Sequence, residues 1–276
     1  MYRSVHHAFW PAGGRCIALK NAGFNSGARE VEILKYFDRL EDYQRNHIIK
    51  LIAYGKHEDR MYIAMERGDV MIGNYVNDDR SNLYNIIKGA ARALEQFHRH
   101  AIHLDIKQSN FVVSLEQNHG NEIASKLIDF GTSVLLPNAG RASFNILAQM
   151  HKAPEIRNDN SNRQRNITTK VDVWAFGIMS CQQLHRRVDR GIRQQFSRGG
   201  INYAGLDNFL DNTCRNPNNN SNLDRIIKAS ICKSDFLKGC LHLDPDNRLT
   251  MNAIVRFNNQ ECHRFAYEDT QEGILC

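Results

Sequence analysis

No apolar run in the sequence approaches the ~18 residues that a membrane-crossing helix needs, and the Met1 end lacks a basic region followed by an apolar core. Secretion and membrane contact are therefore not expected, and an intracellular protein, in cytoplasm, nucleus or both, is. Seven cysteines, Cys16, Cys181, Cys214, Cys232, Cys240, Cys262 and Cys276, form no C-x-x-C pair. Their scatter and odd number speak against a structural zinc site and suit a reducing compartment without a disulfide framework. Basic residues gather locally only at Arg186, Arg187, Arg190 and Arg193, so a net charge of +6 and a pI near 8.9 give little support to nucleic-acid binding. No internal repeat is present.

What is there is a chain of 276 residues with 42% apolar composition, enough for one large domain or two lobes with real cores. Residues 5–66 have the texture of a small mixed sheet with one helix: "CIALK" and "MYIAMER" have strand composition, and "AREVEILKYFDRL" spaces Val31, Leu34 and Phe37 as a helix does. Beyond Gly68 the chain is mainly helical. "SNLYNIIKGAARALEQFH" lines up Leu83, Ile86, Ile87, Ala90, Leu94 and Phe97 behind a Ser81/Asn82 cap, and "VDVWAFGIMSCQQL" is apolar nearly all round, as a buried helix is. A smaller region at 1–68 and a larger one at 69–276 are expected, with loops in the polar insert 157–170 and in "RNPNNNSN".

Four separated pieces carry chemistry together. "IALK" ends in Lys20, "HLDIKQSN" holds Asp105, Lys107 and Asn110, "LIDFG" holds Asp129, Phe130 and Gly131, and "KAPE" ends in Glu155. Each alone is weak, but their order and spacing resemble the protein kinase signature V-A-I-K, H-R-D-L-x-x-x-N, D-F-G and A-P-E. The resemblance covers essentially the whole chain and implies an α+β, two-lobed protein kinase fold. That fold has a small lobe of antiparallel sheet plus one helix and a larger, mainly helical lobe. The implied activity is ATP-dependent phosphoryl transfer to protein hydroxyls, in which catalysis is mostly positioning and charge neutralisation around a polyphosphate.

The resemblance assigns residues as follows. Asp105 would accept the substrate hydroxyl proton, and Lys107 would neutralise the transferred phosphoryl group, as in serine/threonine kinases. Asn110 and Asp129 would hold Mg²⁺, and Lys20 would pair with the α and β phosphates. Lys20 would be oriented by Glu30, with Glu32 half a turn away as the alternative; the short Lys20–Glu30 segment suggests a trimmed helix start. Val5, Ala18 and Val112 would enclose adenine. Met65, Glu66, Arg67 and Gly68 fall on the hinge, where backbone groups of Glu66 and Gly68, or of Arg67, would receive it. Leu34, Leu51, His103 and Phe130 would stack, Asp172 would brace the catalytic loop, and Arg248 would pair with Glu155.

"IIKLIAYGKHEDRMYIAMERGD", "HLDIKQSNFVV" and "KLIDFGTS" are similar to the monopolar-spindle kinases of the mitotic checkpoint, a dual-specificity family that also lacks arginine before the catalytic aspartate, here Leu104. That likeness implies kinetochore or checkpoint partners. Two features depart from the pattern. The Gly-rich phosphate cover and first strand have no counterpart before Val5, so a fragment or a small lobe lacking them, with an unpaired sheet edge, is expected. Ala148 stands where a bracing threonine is usual, while Thr132, Ser133 and Ser143 are candidate phosphorylation sites. These departures raise a second reading, a pseudokinase or scaffold with weak or no transfer. A small-molecule or lipid kinase is disfavoured by the A-P-E and D-V-W-A-F-G elements.

Overall fold

A computed structural model describes residues 4–74, 83–117, 123–136, 152–157, 167–184, 194–197, 200–210, 212, 236–265 and 274–276. The chain divides into two compact units, Met1–Ala142 and Ser143–Cys276.

In the first unit, strand β1 (Ser4–Trp10) turns through Pro11–Gly13 into β2 (Arg15–Gly23). Gly14 closes the turn at φ 58°, a left-handed conformation that glycine adopts without steric cost. Helix α1 (Phe24–Phe37) starts directly after β2. Then come a short helix α2 (Asp42–Arg45) and strands β3 (Leu51–His57) and β4 (Arg60–Met65). The four strands form one sheet, ordered β1-β2-β4-β3, and every pairing in it is antiparallel rather than mixed. β1 lies at its edge, with no strand on its outer side among the described residues. Strand passes into helix without a loop, so the short Lys20–Glu30 segment consists of the end of β2 and the start of α1. Gly27 lets α1 approach the sheet, because a Cβ there would lie 2.5 Å from the Met61 Cβ.

Helix α3 (Leu83–His98) buries Ile86, Ile87, Ala90, Leu94 and Phe97 of the face that its sequence spacing predicts, while Leu83 at its start is half-buried. Ser81 and Asn82, its expected cap, lie outside the described residues. Strand β5 (Ala101–Ile102) leads into the loop 103–110, followed by the hairpin β6 (Phe111–Val113) and β7 (Ser125–Leu127), and β8 (Val134–Leu135) pairs with β5. Gly89 of α3 packs against the chain entering β7, where a Cβ would come within 1.9 Å of the Ile123 carbonyl oxygen. The aromatic core beneath the loop is a stack. Phe37 and Phe97 lie 5.1 Å apart, Phe97 and Phe130 lie 5.2 Å apart, and the His103 ring meets Phe97 and Phe130 edge-on at 5.7 and 5.6 Å.

In the second unit α4 (Pro154–Arg157) is followed by α5 (Lys170–Leu184), in which Val173, Trp174, Phe176, Ile178, Met179 and Cys181 are fully buried. The polar insert before α5 lies mostly outside the described residues. Short strands β9 (Phe196–Ser197) and β10 (Gly200–Ile201), then helices α6 (Tyr203–Leu210), α7 (Phe236–Cys240) and α8 (Met251–Asn258), complete the described elements. Thr250 caps α8, its hydroxyl accepting from the Ala253 N–H at 3.1 Å.

Arg248 organises this unit. Its guanidinium is fully buried, donates to both Glu155 carboxylate oxygens at 2.6 and 2.9 Å, and donates further to the Lys170, His242 and Leu243 carbonyls. The Arg248–Glu155 pair is thus formed as expected from sequence. The cysteines are a correction. Cys262 and Cys276 form a disulfide, brought to a Cα separation of 5.2 Å by a parallel bridge between Arg264 and Leu275, which spacing in the sequence does not reveal. Cys181 and Cys240 are buried thiols, Cys16 is an exposed one, and burial pushes the Cys240 thiol well above its ordinary range.

Candidate functional site

The period-2 pleat of β2 puts Ala18 and Lys20 on one face of the sheet. Cross-strand partners share a face, so Val5 opposite Lys20 and Met65 opposite Ala18 join them there. Lys20 is 4% exposed, and its Nζ donates to Glu30 Oε1 and Oε2 at 2.8 and 2.7 Å and to Asp129 Oδ1 at 2.7 Å. Glu30 is 1% exposed, whereas Glu32 faces solvent, so the helix carboxylate that meets Lys20 is Glu30. One ammonium thus serves two carboxylates in a nearly dry environment, where an unpaired charge would be costly.

The loop 103–110 is held by hydrogen bonds at each step. The Asp105 N–H donates to His103 Nδ1 at 3.2 Å, so the ring proton sits on Nε2, 3.0 Å from the Ile128 carbonyl. Asp105 itself is buried. Lys107 Nζ donates to its Oδ2 at 2.7 Å, and Asn110 Nδ2 donates to the Asp105 carbonyl at 2.6 Å and to Oδ2 at 3.2 Å. Two of these bonds meet at Oδ2 and the third ends on the main-chain carbonyl, which leaves Oδ1 of Asp105 and Oδ1 of Asn110 without a partner among the described residues.

Two non-glycine residues here sit in the left-handed region, Leu104 and Asp129, both at φ 66°. Each costs roughly 1–2 kcal/mol, and surrounding bonds and packing hold them there. Leu104 is buried, so the position where an arginine is usual is filled by packing. Thr132 and Ser133 differ from expectation. Both are buried and donate to the His103 carbonyl at 3.1 and 3.2 Å, so they are structural hydroxyls rather than open phosphorylation sites. Ser143 and Ala148 lie outside the described residues.

Met65 ends β4 and is buried; Glu66, Arg67 and Gly68 follow it. The Glu66 N–H donates to the Lys50 carbonyl at 2.9 Å, which leaves the Glu66 carbonyl and the backbone groups of Arg67 and Gly68 without a backbone partner among the described residues. Val112 lies under Gly68: a Cβ at 68 would fall 2.5 Å from Val112 Cγ2. Sequence reasoning missed Phe37 and Phe97, which share the stack with His103 and Phe130. Their apolar spacing on α1 and α3 was legible, but not that the two helices face each other. It also missed Lys126, whose Nζ lies 2.7 Å from Glu66 Oε1.

The donor set suits a hard cation that also takes phosphate oxygens. Among the described residues no three His, Cys, Asp or Glu side chains converge as a self-sufficient metal site. Asp129, with a fifth of its side chain exposed, and the Asn110 amide oxygen instead offer two oxygens, the usual protein share of a Mg²⁺–phosphate site.

The chain is similar to a probable serine/threonine-protein kinase, mkcD, of Dictyostelium discoideum, at 27% identity over 240 residues, which cover 82% of this chain and 31% of that protein. It is also similar to the serine/threonine-protein kinase MPS1 of Saccharomyces cerevisiae, at 24% identity over 273 residues, 88% of this chain and 33% of that protein. An Aurora kinase of Eremothecium gossypii is 30% identical over 164 residues, 56% of this chain and 40% of that protein. The chain spans about a third of the length of the first two. The family model for the protein kinase domain matches residues 5–258, and on that match the chain belongs to the protein kinase domain family.

Proposed function

We propose that this chain is an ATP-dependent protein kinase domain that transfers the γ-phosphate to serine and threonine hydroxyls of proteins. The observation that carries the reading is the buried Lys20 ammonium bridging Glu30 and Asp129 in the unit where Lys107 and Asn110 bind Asp105. A scaffold has no need of all of these together.

In this reading Lys20, held by Glu30, faces the α and β phosphates, and adenine lies between Val5, Ala18 and Val112 with its edge at the Glu66 carbonyl and the Gly68 N–H. Asp105 Oδ1 receives the substrate hydroxyl proton as the substrate's hydroxyl oxygen forms its bond to the γ-phosphorus. The bond from the γ-phosphorus to the bridging oxygen breaks, and its electron pair leaves with ADP. Lys107 neutralises charge on the moving phosphoryl group. Asn110 and Asp129 would hold Mg²⁺, which when bound neutralises phosphate charge. Residues 1–68 act as the small lobe and 69–276 as the large one.

The finer proposal is a mitotic checkpoint kinase with dual specificity and kinetochore partners, acting inside the cell where ATP is available. Its support is the M-E-x-G hinge, the leucine before Asp105 and the similarity to MPS1. The test is transfer of labelled γ-phosphate from ATP with Mg²⁺ to a generic protein substrate, followed by phosphoamino-acid analysis. Phosphoserine and phosphothreonine are expected, with phosphotyrosine added under dual specificity. Stabilisation by nucleotide without any transfer would make the chain a scaffold instead.

A further inference from the structure

The Glu66 side chain does more than follow Met65. Its Oε1 accepts the Lys50 N–H at 2.8 Å and the Lys126 ammonium at 2.7 Å, while the Glu66 N–H returns a bond to the Lys50 carbonyl at 2.9 Å. Lys126 lies directly opposite Val112 in the β6–β7 hairpin, so both side chains stand on one face. That face grips two alternate residues of the segment after β4, Val112 by packing under Gly68 and Lys126 by its ion pair with Glu66.

The same hairpin strand runs on to Asp129. Between Lys126 and Asp129 the backbone is fixed on both sides: the Leu127 N–H donates to the His47 carbonyl at 2.9 Å, the Ile49 N–H donates to the Leu127 carbonyl at 3.1 Å, and the Ile128 N–H donates to the Asn110 carbonyl at 3.0 Å. A continuous set of short contacts therefore joins Glu66 to Asp129 and Asn110. The ion pair is largely shielded, with side-chain exposures of 15% for Lys126 and 25% for Glu66.

Resting on the kinase reading, we propose that Lys126 is a positioning residue for the nucleotide. It does not touch the nucleotide. By holding Glu66 it sets the reach between the backbone groups that receive adenine and the carboxylate at the phosphate end, so that one rigid nucleotide satisfies both. The ion pair is placed to act on nucleotide affinity, not on the proton transfer at Asp105.

The experiment compares the full chain with Lys126→Met and Lys126→Arg. The readouts are kcat and KM for ATP at saturating protein substrate, Kd for ATP by titration, and Tm without nucleotide. Losing a charge-assisted bond that orients the binding edge should raise KM and Kd for ATP about tenfold in Lys126→Met and leave kcat within about twofold. Lys126→Arg, which keeps the donor, should restore KM to within about threefold of the wild type. Tm should change by no more than about 3 °C, since Glu66 Oε1 keeps the Lys50 N–H and its quarter-exposed side chain can take water in place of the ammonium. Unchanged KM and Kd overturn the inference. So does a rise in KM that Lys126→Arg fails to reverse, or one accompanied by a large fall in Tm, which would mean a structural role only. A wild type that binds ATP without transferring phosphate refutes the proposed function while Kd still reads the inference. A wild type that binds no ATP overturns both.

Discussion

Replacing Lys20 by methionine removes an ammonium that two carboxylates share. Glu30, 1% exposed, would lose that partner while buried, and breaking a buried pair in this way costs about 3–5 kcal/mol. Asp129, with 20% of its side chain exposed, can rehydrate and adds under about 1 kcal/mol. Lys20→Met should therefore lose about 4 kcal/mol, equivalent to roughly 10 °C in Tm, along with phosphate transfer. The double variant Lys20→Met/Glu30→Leu separates the two effects. It replaces the buried charges with apolar groups and should return to within about 1 kcal/mol of the wild type. In the proposed function transfer should stay at least about 10²-fold down, because Lys20 would no longer be there to meet the α and β phosphates. Denaturant unfolding and a labelled-phosphate assay on the same preparations read both quantities. A single variant as stable as the wild type would mean that buried Glu30 does not depend on Lys20, and a double variant that recovers transfer would mean that Lys20 does not serve the phosphates.

Arg248→Leu should destabilise the chain by about 3–5 kcal/mol, because it strips Glu155 and three backbone carbonyls of a fully buried donor; thermal unfolding checks this, and Glu155→Gln should cost less, since Glu155 is a quarter exposed. Gly89→Ala should cost at least about 2 kcal/mol in the same measurement, because its Cβ would overlap the Ile123 carbonyl oxygen. Burial, aided by Arg99, lowers the His100 pKa below its usual 6.5, and the neutral ring is hydrogen-bonded to the Tyr36 hydroxyl at Nδ1. Its contribution to stability is thus full above 6.5 and is lost as pH falls through the lowered folded-state value; the loss of Tm on acidification below 6.5 should be smaller in His100→Phe than in the wild type.

How much of this was legible in the sequence depended on the range of the contact. The α3 face follows from periodicity, and the all-round burial of α5 and the strands around Lys20 and Met65 follow from composition, both local properties. The Lys20–Glu30 and Arg248–Glu155 pairs were legible only through motif order, since nothing local brings residue 248 to residue 155. The choice of Glu30 over Glu32 was settled by which side of α1 meets the sheet, which Gly27 permits by its close approach to Met61. What stayed hidden were contacts that neither periodicity nor a motif encodes: the Cys262–Cys276 disulfide, the hydroxyls of Thr132 and Ser133 turned inward to His103, and the Lys126–Glu66 pair. Each depends on the register of two segments distant in sequence. A lone cysteine, serine or lysine carries no mark of its partner.

In the proposed function Asp105 and Asn110 on one loop, and Asp129 beside Lys20, form a phosphoryl-transfer site. The most direct test is labelled γ-phosphate transfer from ATP by the wild-type chain, by Asp105→Asn and by Asp129→Ala, with nucleotide-free Tm measured in parallel. Transfer by the wild type is expected, with a fall of at least about 10²-fold in each variant and Asp105→Asn still folded. Transfer that persists at wild-type level in both variants, or a wild type no more active than they are, would contradict that function.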